Sequence, residues 1–292
     1  MIILLTGSTG FLGSYLLKSF VKSGYEVIAL KRSTSNTYRI NDYLKKVTLY
    51  NIDKVNLEDI FKKHKINIVI NTVTNYGRID NKISSILDTN LIFGLKLLEE
   101  SVNSNAKAFI NTDTLLERNI NAYALSKAQL VDWMKFLSNK QTKMINIKIE
   151  HMYGLKDDEN KFIYWLINKL KQNVEKIDLT SGVQKRDFIY IDDIVNAYEI
   201  IIQNINTFSN YEEFELGSGN SIEVKNFVEK IYQEISNKQT LSTKLNFGAV
   251  SYRDNENMEM KADIQKLTNL GWKPKVSIED GIKKILEGEK LK

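Results

Sequence analysis

Short apolar runs recur along the first half of the chain, at Ile2–Leu5, Glu26–Leu30, Lys46–Tyr50, Asn67–Thr72, Lys107–Asn111 and Met144–Ile149. Continuous runs of this length, without strict alternation, mark strands buried on both faces, as in a parallel sheet. Between them apolar residues return at helical spacing over Leu12–Ser23, Leu57–His64, Lys82–Asn103 and Tyr123–Asn139. Strands and helices alternating through short links predict a doubly wound α/β sheet. The pattern changes after Tyr153, where helices are predicted at Phe162–Lys171, Asp192–Gln203, Glu223–Ile235 and Ile278–Glu287 with only short strand-like pieces between. The expected organisation is one domain over 1–154, with 183–204 returning to it. A smaller, mostly helical domain over 155–292 packs at the carboxyl edge of the sheet. The single proline, in Gly271-Trp272-Lys273-Pro274, predicts a turn before the last helix.

Composition narrows the class without redrawing this picture. The 292 residues are 42% hydrophobic and 26% charged, ordinary values for a globular protein with ample core. The 41 Lys+Arg exceed the 36 Asp+Glu by a formal charge of +5, spread along the chain. A small, dispersed excess suits an anionic small ligand better than nucleic acid, whose partners concentrate their basic residues. The lack of cysteine excludes a disulfide framework, thiolate zinc sites and a cysteine nucleophile, and no metal site is read. No apolar stretch approaches the ~20 residues that span a bilayer. Met1-Ile2-Ile3-Leu4-Leu5 runs straight into a glycine turn, with no basic leader and no cleavage site. The expected place of work is the cytoplasm, with no membrane or nucleic-acid partner.

That turn, Thr6-Gly7-Ser8-Thr9-Gly10-Phe11-Leu12-Gly13, carries the first chemistry. A strand ending at a glycine-rich turn before a helix offers backbone N–H groups and a helix N-terminus to a pyrophosphate. Gly7 allows the tight turn, Gly10 the approach of the phosphate and Gly13 the packing of helix on strand, with Thr9, Phe11 and Leu12 in the same cradle. The spacing G-x-x-G-x-x-G is one residue longer than the usual dinucleotide fingerprint. An NAD site then places an acid at the end of the second strand for the ribose 2′-OH. Here the strand ends in Ala29-Leu30-Lys31-Arg32-Ser33, two cations and a hydroxyl, which favours NADP(H). Asp53, after the third strand, either hydrogen-bonds the adenine amine or caps a helix.

A second signal follows at Tyr123-Ala124-Leu125-Ser126-Lys127. Residues four apart share a helix face, so Tyr123 and Lys127 project together into one cleft. A nearby ammonium favours the phenolate and brings the tyrosine closer to neutrality, where it transfers protons well. Lys127 is also placed to hold the nicotinamide ribose. Carbonyl reduction needs one more donor to polarise the substrate oxygen, and Asn111-Thr112-Asp113-Thr114 ends the fifth strand near that point.

In this order the residues resemble the extended short-chain dehydrogenase/reductases, the family of nucleotide-sugar epimerases, dehydratases and reductases. The likeness spans nearly the whole chain. Asn90-x-x-x-Gly94-x-x-x-Leu98-Glu99 resembles the family's Asn-containing helix, and Met152-Tyr153-Gly154 its Val-Tyr-Gly element. Gln184-Lys185-Arg186-Asp187-Phe188-Ile189-Tyr190-Ile191-Asp192-Asp193 is similar to its Arg-Asp-Phe-x-x-Val-Asp-Asp segment. Phe214-Glu215-Leu216-Gly217-Ser218-Gly219, Tyr252-Arg253 and Leu270-Gly271-Trp272-Lys273-Pro274 follow in family order. The resemblance implies a Rossmann-type fold whose first domain binds NADP(H) and whose second binds a nucleotide-diphosphate sugar. It makes Tyr123 the acid-base, Lys127 its partner and Thr112 the hydroxyl of the triad. Thr72, Val73 and Asn90 join the cofactor residues. Thr114, His151, Arg186 and Arg253 face the sugar nucleotide, guanidinium forks being suited to a diphosphate. It also makes Lys82–Asn103 and Tyr123–Asn139 the four-helix interface of a homodimer, since they carry surplus apolar residues such as Ile83, Ile86, Trp133 and Phe136.

Three departures from the family pattern bear on the reaction. Only eight residues separate Thr114 from Tyr123, so a loop carried by many members is missing. Family dehydratases have Thr-Asp-Glu after this strand, the Glu taking the C5 proton; here Thr114 stands in its place. His151 replaces a usual Asn, either as a substrate contact or as a packed histidine. Asn-Thr-Asp-Thr with the short loop is most similar to the CDP-abequose and CDP-paratose synthase group, which reduces the 4-keto group of a CDP-3,6-dideoxyhexose with NADPH. The expected activity is therefore NADPH-dependent 4-ketoreduction of a nucleotide-activated deoxyhexose for surface polysaccharide. The alternatives are an epimerase with tightly bound NAD(P) and a non-catalytic NADP-binding sensor.

Overall fold

The computed structural model describes residues 1–78, 80–138, 140–253 and 256–289. The six apolar runs form β1 (Ile2–Leu5), β2 (Glu26–Lys31), β3 (Thr48–Asn51), β4 (Ile68–Asn71), β5 (Ala108–Thr114) and β6 (Lys143–Ile149). They lie in the order β6-β5-β4-β1-β2-β3, all parallel, and a seventh strand, Tyr211–Leu216, extends the sheet beyond β6. The order turns at β1 and β4, so their carboxyl ends open the crevice where such sheets bind ligands.

The helices are α1 (Phe11–Lys22), α2 (Leu57–Lys63), α3 (Ile83–Leu87), α4 (Phe93–Asn103) and α5 (Ala122–Leu137). Strand residues Leu4, Ile28, Leu30, Val69 and Phe109 pack with Ile60 and Phe61 of α2, Leu97 and Leu98 of α4, and Leu130 and Met134 of α5. The single helix expected over 82–103 is instead two, joined by a π-type turn at Asp88–Ile92. The extra residue in that turn carries Asn90 inward, where it is buried, and such bulges often serve a site. Asn139, the expected end of the Tyr123 helix, lies outside the described residues.

The chain divides into two compact units, Met1–Ile149 with Ala197–Glu215, and Glu150–Asn196 with Leu216–Lys292. The returning segment is thus 197–215, and residues 183–196 belong to the second unit. That unit has more strand than the sequence suggests. Its pairs are His151–Tyr153 with Phe188–Tyr190, Lys176–Leu179 with Lys244–Phe247, and Lys185–Arg186 with Ile222–Glu223. Helices Phe162–Lys171, Val224–Ser236 and Ile278–Gly288 surround a core in which the Phe188 and Phe227 rings stack at 3.8 Å. The Gly271–Pro274 turn is pinned by Trp272 Nε1, which donates to the Asp193 carbonyl at 3.1 Å. Among the described residues no helix is long and apolar enough to cross a membrane.

Candidate active site

The glycine turn fits a pyrophosphate for a reason visible in its spacing to other atoms. Gly7 has φ +61°, and a Cβ there would meet Thr72 Oγ1 at 2.6 Å; a Cβ on Gly13 would meet the Gly7 carbonyl oxygen at 2.2 Å. Only glycine lets the turn close this tightly on β4 and on itself. Gly10 caps α1 and offers no side-chain oxygen, so the helix end keeps its capacity for an anion. Ser8 is turned inward, its hydroxyl donating to the Leu30 carbonyl at 3.0 Å. Phe11 and Leu12 are buried. Arg39, nearly buried in the loop after β2, donates to the Thr9 carbonyl at 3.4 Å. The sequence shows it only as one arginine in a polar stretch.

The end of β2 is less simply cationic than its sequence. Lys31 Nζ turns onto the Arg32 carbonyl at 3.1 Å. Ser33 donates its backbone N–H to Asp53 Oδ1 at 2.7 Å and its hydroxyl to Oδ2. These two bonds hold the Asp53 carboxyl below its ordinary range. Asp53 does not cap α2, because Asn56 occupies that place. An acid therefore stands beside the residues read as the 2′-phosphate site.

Asn121 caps α5, its side chain accepting from Ala124 N at 2.8 Å, and this sets Tyr123 in the first turn with Lys127 one turn on. The half-buried Tyr123 ring lies 5.0 Å from the Tyr76 ring, and Arg78 stacks over Tyr76 at 5.1 Å. Burial, then Tyr76 and Asp113, push the Tyr123 hydroxyl well above its ordinary value, while a hydrogen bond to Thr114 and the Arg78 charge act the other way. The expected drift toward neutrality is not seen, because Lys127 is itself buried and engaged elsewhere. Its Nζ donates to the Thr112 carbonyl at 2.7 Å and the Val73 carbonyl at 3.5 Å. Burial brings it down to about 8, with Asp113 resisting.

Thr112 is also differently placed from the expectation. Its hydroxyl pairs with the buried Tyr198 hydroxyl at 2.6 Å, while Thr114, on the same strand face and one pleat further out, accepts from Leu116 N at 3.2 Å. Asp113 points to the other face and accepts from Asn146 Nδ2 at 2.9 Å. Thr72 binds Thr6 through both its backbone N–H (3.1 Å) and its hydroxyl (2.8 Å). Asn90 straps the loop that carries Tyr76: it accepts from Asn75 N at 2.7 Å and donates to the Asn75 carbonyl at 2.9 Å and to Ser126 Oγ at 3.0 Å.

The other expected site residues lie in the second unit. His151 is exposed, with Nδ1 at 2.8 Å from Oε2 of the buried Glu150. Arg186 is buried, its guanidinium paired with Glu256 and donating to the Lys185 carbonyl at 2.8 Å. Arg253 is exposed, and its carbonyl accepts from Glu256 N at 3.2 Å. Tyr76, Arg78, Arg39, Asn146, Glu150 and Glu256 carry no spacing signal in the sequence, and contact alone reveals them.

Comparison with known proteins gives this geometry a context. The model of the NAD dependent epimerase/dehydratase family matches residues 3–217. The chain is 37% identical to a CDP-abequose synthase of Salmonella muenchen, over 97% of this chain and 96% of that one. It is 31% identical to the CDP-abequose synthase of Salmonella typhimurium, over 98% and 97%. Among solved structures, the UDP-glucose 4-epimerase of Thermotoga maritima, determined with UDP-glucose, superposes with a TM-score of 0.86 at 23% identity and covers both chains fully.

Proposed function

The chain belongs to the NAD dependent epimerase/dehydratase family, and from that membership we propose that it reduces the 4-keto group of a nucleotide-activated deoxyhexose with NADPH. The observation that carries the reading is the strand end near Tyr123. Burial pushes the Tyr123 hydroxyl well above its ordinary value, Thr114 stands where a dehydratase has its base, and Asp113 turns to the other face, buried and bonded to Asn146. Reduction begins with a proton donor and needs no base at C5. Epimerisation and dehydration begin by taking a proton from the C4 hydroxyl, and dehydration takes another from C5. The likeness to two CDP-abequose synthases favours a CDP-activated sugar as the substrate.

In this reading Gly7–Gly13 hold the pyrophosphate, and Lys31, Arg32 and Ser33 the 2′-phosphate. Thr72, Val73 and Lys127 line the nicotinamide side. When bound, NADPH supplies the hydride that arrives at C4. Thr114 orients the carbonyl oxygen, and Tyr123 gives its hydroxyl proton to O4. Lys127, anchored on the Thr112 carbonyl, holds the nicotinamide ribose. Arg186, His151 and Arg253 of the second unit take the diphosphate and sugar. The exposed Ile83, Trp133 and Phe136, together with Ile92, form the homodimer interface, whereas Ile86, expected on that face, is buried.

One observation favours a second reading, an epimerase that retains NAD: the Asp53 carboxylate beside Ser33 suits a ribose hydroxyl better than a phosphate. Following NADPH and NADH consumption with CDP-, GDP- and dTDP-4-keto sugars separates the two. Multiple turnovers of NADPH support the reductase. A 4-keto-6-deoxy product formed from CDP-glucose, GDP-mannose or dTDP-glucose refutes it. Tyr123→Phe should keep cofactor affinity and lose about 10²–10⁴ in rate.

A further inference from the structure

A polar ladder crosses the sheet of the first unit at a depth where apolar side chains are the rule. Thr6 Oγ1 donates to Asn71 Oδ1 at 2.9 Å, Asn71 Nδ2 to Asn111 Oδ1 at 3.2 Å, Asn111 Nδ2 to Asn146 Oδ1 at 3.0 Å, and Asn146 Nδ2 to Asp113 Oδ2 at 2.9 Å. Strand register puts Asn71 opposite Asn111 and Asn111 opposite Asn146. Thr6 and the three asparagines are all within 2% of full burial. The rungs run from β1 to β6, each amide accepting from the side chain before it, and at β6 the last amide donates back to Asp113 of β5. An amide engaged at both ends cannot flip without stranding two buried groups, at about 1–3 kcal/mol each. Aligned dipoles in a low-dielectric interior reinforce one another. The last donor in the row is thereby aimed at carboxylates, Asp113 first and Glu213 Oε2 at 3.1 Å. Asp113 is next in sequence to Thr112, whose carbonyl holds Lys127.

We infer that Asn146 is a positioning residue for the Tyr123–Lys127 pair: the ladder fixes its Nδ2 on Asp113, which shares with Thr112 the peptide whose carbonyl holds Lys127. This deepens the assignment of that pair and rests on it. The direction of the charge effect agrees, since Asp113 favours the charged amine and the neutral phenol. Other titratable or charged groups around the assembly are Tyr76 and Arg78 from the loop after β4, Tyr198 against Thr112, and Lys148, Tyr211 and Glu213 around Asn146.

NADPH affinity, read from the fluorescence of bound NADPH between pH 6 and 10, tests this without any sugar substrate. Wild-type affinity should weaken above about 8, where the Lys127 ammonium is lost, and Lys127→Met should lack that break. Asn146→Leu removes the donor and Asp113→Asn removes the charge. Each should move the break down by about half a pH unit or more, and the double variant no further. A purely structural role for Asn146 would weaken binding at every pH and leave the break in place. Movement in Asp113→Asn alone, or in neither variant, overturns the inference. If Asn146→Leu does not fold, Asn146→Ser removes the same reach with less bulk and is read the same way. Intact NADPH binding with no 4-keto sugar reduced would instead count against the reductase reading.

Discussion

Replacing Lys127 by methionine keeps the apolar stem and deletes a charge that the fold holds at 1% exposure. Burial takes the amine from 10.5 down to about 8. A gap of about 2.5 units corresponds to about 3 kcal/mol that the folded protein forgoes to keep this ammonium at neutral pH. Methionine relieves that cost but strands the Thr112 and Val73 carbonyls, at about 1–3 kcal/mol, so the two effects nearly cancel at pH 7. The pH dependence does not cancel. Below about 8 both folded and unfolded states hold the proton, and the wild-type stability contribution from Lys127 is flat. Between about 8 and 10.5 the unfolded chain still binds a proton that the folded one has released, so wild-type stability rises with pH. Wild type minus Lys127→Met should therefore stay constant from pH 6 to 8 and grow by about 3 kcal/mol toward pH 10.5. Urea unfolding at a series of pH values, followed by tryptophan fluorescence, measures the difference directly. A difference that is flat from pH 7 to 10 would refute the claim that this amine is buried and charged.

The remaining predictions test the cofactor end and the outer helices. Asp53→Asn removes the acid that occupies Ser33 and should raise the NADPH-to-NADH affinity ratio by about 10-fold or more, a charge-assisted bond being worth about 1.5–3 kcal/mol; titration with both cofactors measures it, and an unchanged ratio contradicts the placement. Gly13→Ala forces a Cβ onto the Gly7 carbonyl, 2.2 Å away, and should cost at least about 1–3 kcal/mol of stability together with cofactor affinity. Thermal unfolding with and without NADPH reads both. Trp133→Glu with Phe136→Glu should turn a dimer into a monomer by light scattering, because Phe136 is 71% exposed and lies edge-on to Trp133; a wild-type monomer at micromolar concentration refutes the interface.

The parts of the fold legible in the sequence are those where one physical rule decides. The inner parallel strands announce themselves because burial on both faces leaves mostly apolar residues, and β4 is buried at all four positions, whereas the edge strand β3 is nowhere fully buried. Phe162–Lys171 forms over its expected range because its amphipathic stripe needs only local information. The second unit's strands are two to four residues long, too short to show a period, and their pairing is wholly nonlocal. The break at Asp88–Ile92 is equally silent, since a π-type turn keeps helical composition and shifts only the register.

At the candidate site, spacing along one helix was readable and relations between elements were not. Tyr123 and Lys127 had to share a face of α5, because four residues make about one turn. Whether Lys127 would meet the phenol or a carbonyl depends on how far α5 sits from the ends of β4 and β5, and no residue encodes that distance. The threonines show the same limit more sharply. Thr112 and Thr114 lie on one face of β5, so alternation cannot choose between them, and motif order alone favours Thr112. In the structure Tyr198, from a segment more than 80 residues later, takes the Thr112 hydroxyl, which motif order cannot show. Asp53 follows the same logic, since two cations suggest a phosphate site only until an acid from the next strand is seen bonded to Ser33. Partner choice for a buried or chelated polar group is set by the competing donors within reach, and those are assembled only when the sheet forms.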